Sequence, residues 1–165
     1  MDTCIIATPL GPMRAAAENG GLTGLWFIPQ KHEPLDVDTW TECPDNPVFV
    51  ALRKYLDGYF AGKRELPPIL LTPNGTEFQR LIWGILLQVP YGETITYGEI
   101  AKIAADYLGV PSMSAQAIGG AVGHNPISIL IPCHRVMGKD GSLTGYSGGF
   151  DKKQKLLQIE GLRLA

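Results

Sequence analysis

The 165-residue chain is poor in metal-ligating and disulfide-forming residues: three cysteines, Cys4, Cys43 and Cys133, lie far apart, and its three histidines and three cysteines include no Cys-x-x-Cys or His-x-x-x-His pair. An odd cysteine count without a secretory leader does not describe a disulfide-stapled scaffold, and zinc needs about four ligands at recognisable spacings. Neither a metal nor a cofactor is expected, and Cys4 with His32 would make an incomplete site at most. Also lacking are an apolar run of the roughly 18 to 20 residues that cross a bilayer and a basic, apolar leader, so a cytoplasmic chain with no membrane partner is expected. The net charge of only -2, with a pI near 5.9, excludes a broadly basic nucleic-acid coat. The charge is uneven, however: Lys and Arg number 8 against 13 Asp and Glu over residues 1–128, and 6 against 3 over 129–165. No internal repeat or low-complexity segment occurs.

What is present suits one or two small lobes, 45% apolar. Short β-favouring runs at Thr3 to Ala7, Met13 to Ala17 and Leu22 to Ile28, separated by turn formers that include Asn19-Gly20-Gly21, predict an antiparallel meander. A polar connection over 29–45 leads to Asn46-Pro47, an N-cap and first-turn proline, and to a helix carrying Val48, Leu52, Tyr55, Leu56 and Tyr59. Ile69 to Leu71 reads as a further strand, closing a first lobe near residue 72. Beyond it, Thr76 caps a helix with Phe78, Leu81, Ile82, Ile85, Leu86 and Val89, and another helix runs from Tyr97 to Leu108. Gly109-Val110-Pro111 breaks that helix before a third reaching about Gly123, the outline of a helix-turn-helix. The third helix has no charge and three glycines, each costing about 1 kcal/mol of helix propensity. Either a neighbouring helix packs tightly there or a nucleic-acid groove approaches its backbone. Ile127 to Ile131 reads as a strand, and Asp151 as the cap of a last helix, Lys152 to Glu160.

Directly after that apolar run come Ile131-Pro132-Cys133-His134-Arg135-Val136-Met137-Gly138. Cysteine alone is most often a small buried hydrophobe, but an imidazole beside it offers the base that a thiol of pKa about 8.5 needs to react at neutral pH. A third group should orient that imidazole, and spacing leaves Glu160, Asp140 and Asp151 open.

Together with Gly75-Thr76-x-Phe78-Gln79, Trp83, Pro90-Tyr91-Gly92-x-Thr94-x-Thr96-Tyr97, Asn125-Pro126-Ile127, Gly145 to Gly149 and Leu156 to Gly161, this motif closely resembles the O6-alkylguanine-DNA alkyltransferases, in one order over about residues 73 to 161. The first lobe matches only through Thr8-Pro9-Leu10-Gly11. The resemblance implies an α/β (α+β) fold: a small β-meander and helix lobe, ribonuclease H-like, over 1–72, and a helical, winged-helix-like DNA-binding lobe over 73–165. It implies a monomer that repairs alkylated double-stranded DNA by flipping the damaged base through the minor groove. The alkyl group of O6-alkylguanine, with O4-alkylthymine a further candidate, would pass irreversibly to Cys133, one protein per lesion. In that scheme His134 draws the thiol proton through a water and Glu160 orients His134. Asn125 braces the turn, and Tyr97 assists flipping and the leaving guanine. Arg135 would be structural. Val136, Tyr146 and Ser147 would line the base pocket, and Thr96, Tyr97, Ala115, Gln116, Ala117, Gly119, Gly120 and Lys139 would meet the DNA. Gln116 departs from the pattern, since many members carry an arginine there to fill the emptied stack; weaker DNA binding is expected. The connection Tyr107 to Met113 also looks longer than in compact members.

Three rival readings follow from the same residues: a non-catalytic lesion binder, which normally lacks the cysteine; a regulator, which needs a further metal-binding domain; and a cysteine hydrolase, for which adjacent Cys133 and His134 are poorly disposed.

Overall fold

A computed structural model describes residues 1–29, 34, 36–139, 146 and 149–162. The chain divides into two compact units, residues 1–74 with 126–128, and residues 75–125 with 129–165. The first unit is a four-stranded sheet in the order β3-β2-β1-β4, with β1 Asp2–Ile6, β2 Met13–Glu18, β3 Gly21–Phe27 and β4 Thr41–Glu42. β1 and β2 are antiparallel, from Asp2 opposite Ala17 to Ile6 opposite Met13, whereas β4 lies parallel to β1. Asn19 and Gly20, at φ 52° and 79°, make the turn between β2 and β3, the left-handed pair a tight hairpin requires. Helix α1, Pro47–Phe60, starts where Asn46 Oδ1 accepts Val48 N–H at 2.9 Å, and it buries Val48, Phe49, Leu52, Leu56 and Tyr59.

Two expected strands are absent. Leu71 makes only an isolated bridge to Leu22, and Ile127 only one to Leu25. Leu25 N donates to Pro126 O and Ser128 N to Leu25 O, both at 2.8 Å, so three residues from the second half of the chain edge β3 of the first unit. Beyond them residues 128–130 turn instead of extending, and Ile129 sits at φ 71°. An apolar run interrupted only by Ser128 cannot distinguish a strand from a turn whose every side chain is buried.

The second unit packs α2 Glu77–Leu86, α3 Tyr97–Leu108 and α4 Ala115–Gly123 against one another. Thr76 with Gln79, and Thr96 with Glu99, form capping boxes that start α2 and α3, and Gly109 in the left-handed conformation ends α3. α3 and α4 give the expected helix-turn-helix outline. Trp83 of α2 donates its indole N–H to Ala121 O of α4 at 2.9 Å. Two short parallel strands, β5 Ile95–Thr96 and β6 Val136–Met137, pair in register, Ile95 with Val136. The last helix, α5 Phe150–Ile159, begins earlier than expected: Gly149, at φ 103°, is its cap residue and Asp151 lies inside its first turn. This mixed α/β arrangement, sheet first and helices second, is the expected fold class. No helix among the described residues is long and apolar enough to cross a membrane.

Candidate active site

Cys133, His134 and Arg135 occupy a 3-10 turn that opens out of Pro132, whose φ of -82° and ψ of 63° tuck Cys133 N back onto Ile131 O at 2.8 Å. All three are buried, His134 completely. Asn125, in the turn after α4, donates from Nδ2 to Ile131 O at 2.8 Å and to Cys133 Sγ at 3.0 Å. One amide thus holds both the turn and the sulfur.

Of the three carboxylates that spacing left open, the buried Glu160 meets the imidazole: His134 Nε2 lies 2.5 Å from Glu160 Oε2. Asp151 is exposed, and Asp140 lies outside the described residues. The other oxygen, Oε1, accepts Arg135 Nε at 2.7 Å and Gly92 N at 3.1 Å. Arg135 also donates from Nη1 to Val89 O at 2.7 Å and stacks over Tyr91, 5.9 Å from the ring centre. Tyr91 O–H in turn reaches Ile159 O at 3.1 Å. Pro90-Tyr91-Gly92 therefore joins the end of α5 to the turn after α2, and Arg135 is structural. With Nε2–H donated to a carboxylate, the neutral imidazole keeps its lone pair on Nδ1.

Burial pushes the Cys133 thiol up to about 11, against the opposing pull of the Asn125 amide and of Lys153. His134 is driven below its ordinary value by burial, which outweighs Glu160. A neutral thiol and a neutral imidazole are thus the resting pair near pH 7. Lys153, only 1% exposed, is the residue that sequence reading missed. Desolvation lowers its ammonium to about 8 while the neighbouring sulfur pulls it the other way. The signal was available: Lys153 shares the buried stripe of α5 with Leu156, Leu157 and Glu160 at helical spacing, and a fully buried lysine is rare without a partner.

The remaining expected site residues spread over the second unit. Thr96 and Tyr97 join β5 to α3 beside β6, which begins with the buried Val136, and Lys139 is exposed beyond it. Tyr146 is half-buried and its carbonyl accepts Gly149 N at 3.1 Å. Ser147 and His32 lie outside the described residues. On α4, which Ser114 caps, Ala115, Gln116, Ala117 and Gly120 are exposed and Gly119 half-buried, while Ile118, Ala121 and Val122 face inward. A Cβ built on Gly119, Gly120 or Gly123 would meet nothing within 4 Å. Packing among the described residues therefore does not explain these glycines.

A family model described as the DNA binding domain of 6-O-methylguanine DNA methyltransferase matches residues 77–162, and one described as its ribonuclease-like domain matches 4–67. The chain belongs to the 6-O-methylguanine DNA methyltransferase family. It is 44% identical over 155 residues to the methylated-DNA--protein-cysteine methyltransferase of Mycobacterium tuberculosis, covering 94% of this chain and 89% of that protein. The enzyme of the same name from Methanosarcina acetivorans is 43% identical over 157 residues, 95% and 96% of the two chains. The crystal structure of M. tuberculosis OGT in complex with DNA superposes with a TM-score of 0.85 at 42% identity, covering 98% of this chain and 93% of that one. The Cys133–His134–Glu160 cluster lies in the span matching the DNA binding domain.

Proposed function

We propose that this protein repairs alkylated double-stranded DNA by taking the alkyl group of O6-alkylguanine onto Cys133, once per molecule and without release. The observation that carries this reading is a single buried constellation: a thiol held by Asn125 beside an imidazole whose Nε2 is fixed by Glu160. Each part has a chemical task. His134 Nδ1 takes the Cys133 proton through a water, and the imidazolium so formed is stabilised by the Glu160 carboxylate. The thiolate attacks the alkyl carbon in line; the S–C bond forms as the C–O6 bond breaks, and the electron pair leaves on guanine, where the Tyr97 hydroxyl supports the developing charge. The product is a thioether, whose unactivated S–C bond makes it a poor alkyl donor, so the step does not reverse and each molecule acts once.

A base inside a duplex must leave the stack to reach a buried sulfur, at a cost of a few kcal/mol that is smaller for damaged pairs. The open backbone face of α4 supports minor-groove approach, with Gln116 reaching toward the emptied stack and Thr96 and Lys139 on the flanking backbone. Val136, Tyr146 and Ser147 line the base pocket in this reading. Residues 73–165 carry binding and transfer, 1–72 form a separate supporting lobe, and the protein acts as a cytoplasmic monomer without metal or cofactor. Intact-mass measurement after incubation with an O6-methylguanine duplex tests it. One methyl group should be gained stoichiometrically by the wild type and none by Cys133→Ser; binding without mass gain would replace transfer with lesion recognition.

A further inference from the structure

Between Asn125 and Cys133 the backbone reverses through a residue ill suited to the task. Ile129 holds φ at 71°, in the left-handed region where a β-branched side chain crowds its own backbone and where Gly or Asn is the ordinary occupant. Its side chain is buried, so packing is available to hold it there. Three residues on, Pro132 closes an inverse γ-turn through Cys133 N and Ile131 O. That Ile131 carbonyl also accepts Asn125 Nδ2, and the same Nδ2 reaches Cys133 Sγ. Two donors converge on one carbonyl, and the amide spans to the sulfur, because the chain has already doubled back at Ile129. Strained backbone persists only where its surroundings over-determine it, and such residues cluster where geometry is functional.

We propose that Ile129 is a positioning residue for Cys133: its left-handed backbone, pinned by its buried side chain, sets the turn that presents the sulfur to the Asn125 amide. The inference rests on Cys133 as the alkyl acceptor, and Ile129 itself touches no substrate. With a permissive residue at 129 the turn relaxes and Sγ loses a hydrogen bond that favours its thiolate.

Three full-length variants, Ile129→Val, Ile129→Ala and Ile129→Gly, separate position from packing. Glycine accepts positive φ and alanine does not, so Ile129→Gly is expected to unfold in urea at the same or a higher midpoint than Ile129→Ala, despite its smaller side chain; a lower midpoint overturns the left-handed assignment. Labelling of Cys133 by iodoacetamide, read by peptide mass across pH, should match wild type in Ile129→Val and move up by about half a pH unit or more in Ile129→Gly. Methyl uptake from the O6-methylguanine duplex should be at least about tenfold slower in Ile129→Gly than in Ile129→Val. Equal labelling profiles and equal rates in those two variants overturn the positioning role. A wild type that takes up no methyl group sinks the transfer reading instead, and the iodoacetamide profiles, which need no DNA, then decide the positioning role alone.

Discussion

In β3, a Cβ added to Gly24 would overlap the ring of Trp26, and one added to Gly21 would overlap Thr72; in α4, a Cβ added to Gly119, Gly120 or Gly123 would enter open space. Glycine in the sheet makes room for the chain's own side chains. Glycine in the helix leaves room that no side chain of the described residues fills, at a cost of about 1 kcal/mol of propensity each. The same division separates the Cys133 cluster, buried and bonded inward through Asn125, Glu160 and Arg135, from the uncharged helix face that would meet DNA. Chemistry is kept inside, recognition outside.

The interior half of this contrast is tested most severely at Glu160. Glu160→Gln leaves Arg135 buried beside a neutral amide and deprives His134 of its carboxylate, so unfolding free energy should fall by about 3 kcal/mol in denaturant titration and methyl uptake should slow about a hundredfold. A variant as stable and fast as wild type would mean that the buried cluster is dispensable. Lys153→Met removes a buried charge and should instead raise stability, by roughly 1 to 3 kcal/mol, while slowing thiol alkylation. The sign with pH follows from the proton count. Between about pH 8 and its ordinary 10.5, Lys153 has lost its proton in the folded state but keeps it unfolded, so stability rises with pH there. Cys133, raised from 9.0 to about 11, gives the opposite slope above about pH 9. The net rise is confined to about pH 8 to 9, and Lys153→Met should flatten it in thermal melts.

The two glycine classes should then part in opposite directions. Gly24→Ala is expected to lose about 1 to 3 kcal/mol by overpacking against Trp26. Gly120→Ala should gain up to about 1 kcal/mol of stability yet bind the lesion duplex several-fold more weakly in a fluorescence-anisotropy titration. Destabilisation by both, with DNA affinity intact, would collapse the distinction. The smallest effect is expected of Gln116→Arg, a gain in DNA affinity of about threefold or less that fades as salt rises. No gain at low or moderate salt would remove Gln116 from the interface.

Much of this was legible in the sequence because caps and periodicity are local. Thr76 caps α2 as expected, and α3 spans the expected Tyr97–Leu108. Ile127 to Ile131 failed for a tertiary reason: an apolar run says that side chains are buried, not which way the backbone travels between them. The candidate site divides similarly. Cys133 and His134 stood out as neighbours, but spacing alone left three carboxylates open as partners; only the family resemblance singled out Glu160, which α5 carries against His134 from 26 residues away. Lys153 passed unnoticed because Lys152-Lys153-Gln154-Lys155 reads as a solvated patch, and only the phase of α5 turns Lys153 inward.

Trp83 offers one more consequence. Its indole N–H is bonded to the Ala121 carbonyl on the inner side of α4, so a natural chromophore lies within one hydrogen bond of the proposed recognition helix. Its emission is therefore an internal optical gauge: if docking on the outer surface shifts α4, the fluorescence of an otherwise tryptophan-free variant changes with the occupancy of DNA, and if α4 is a rigid template the spectrum stays still.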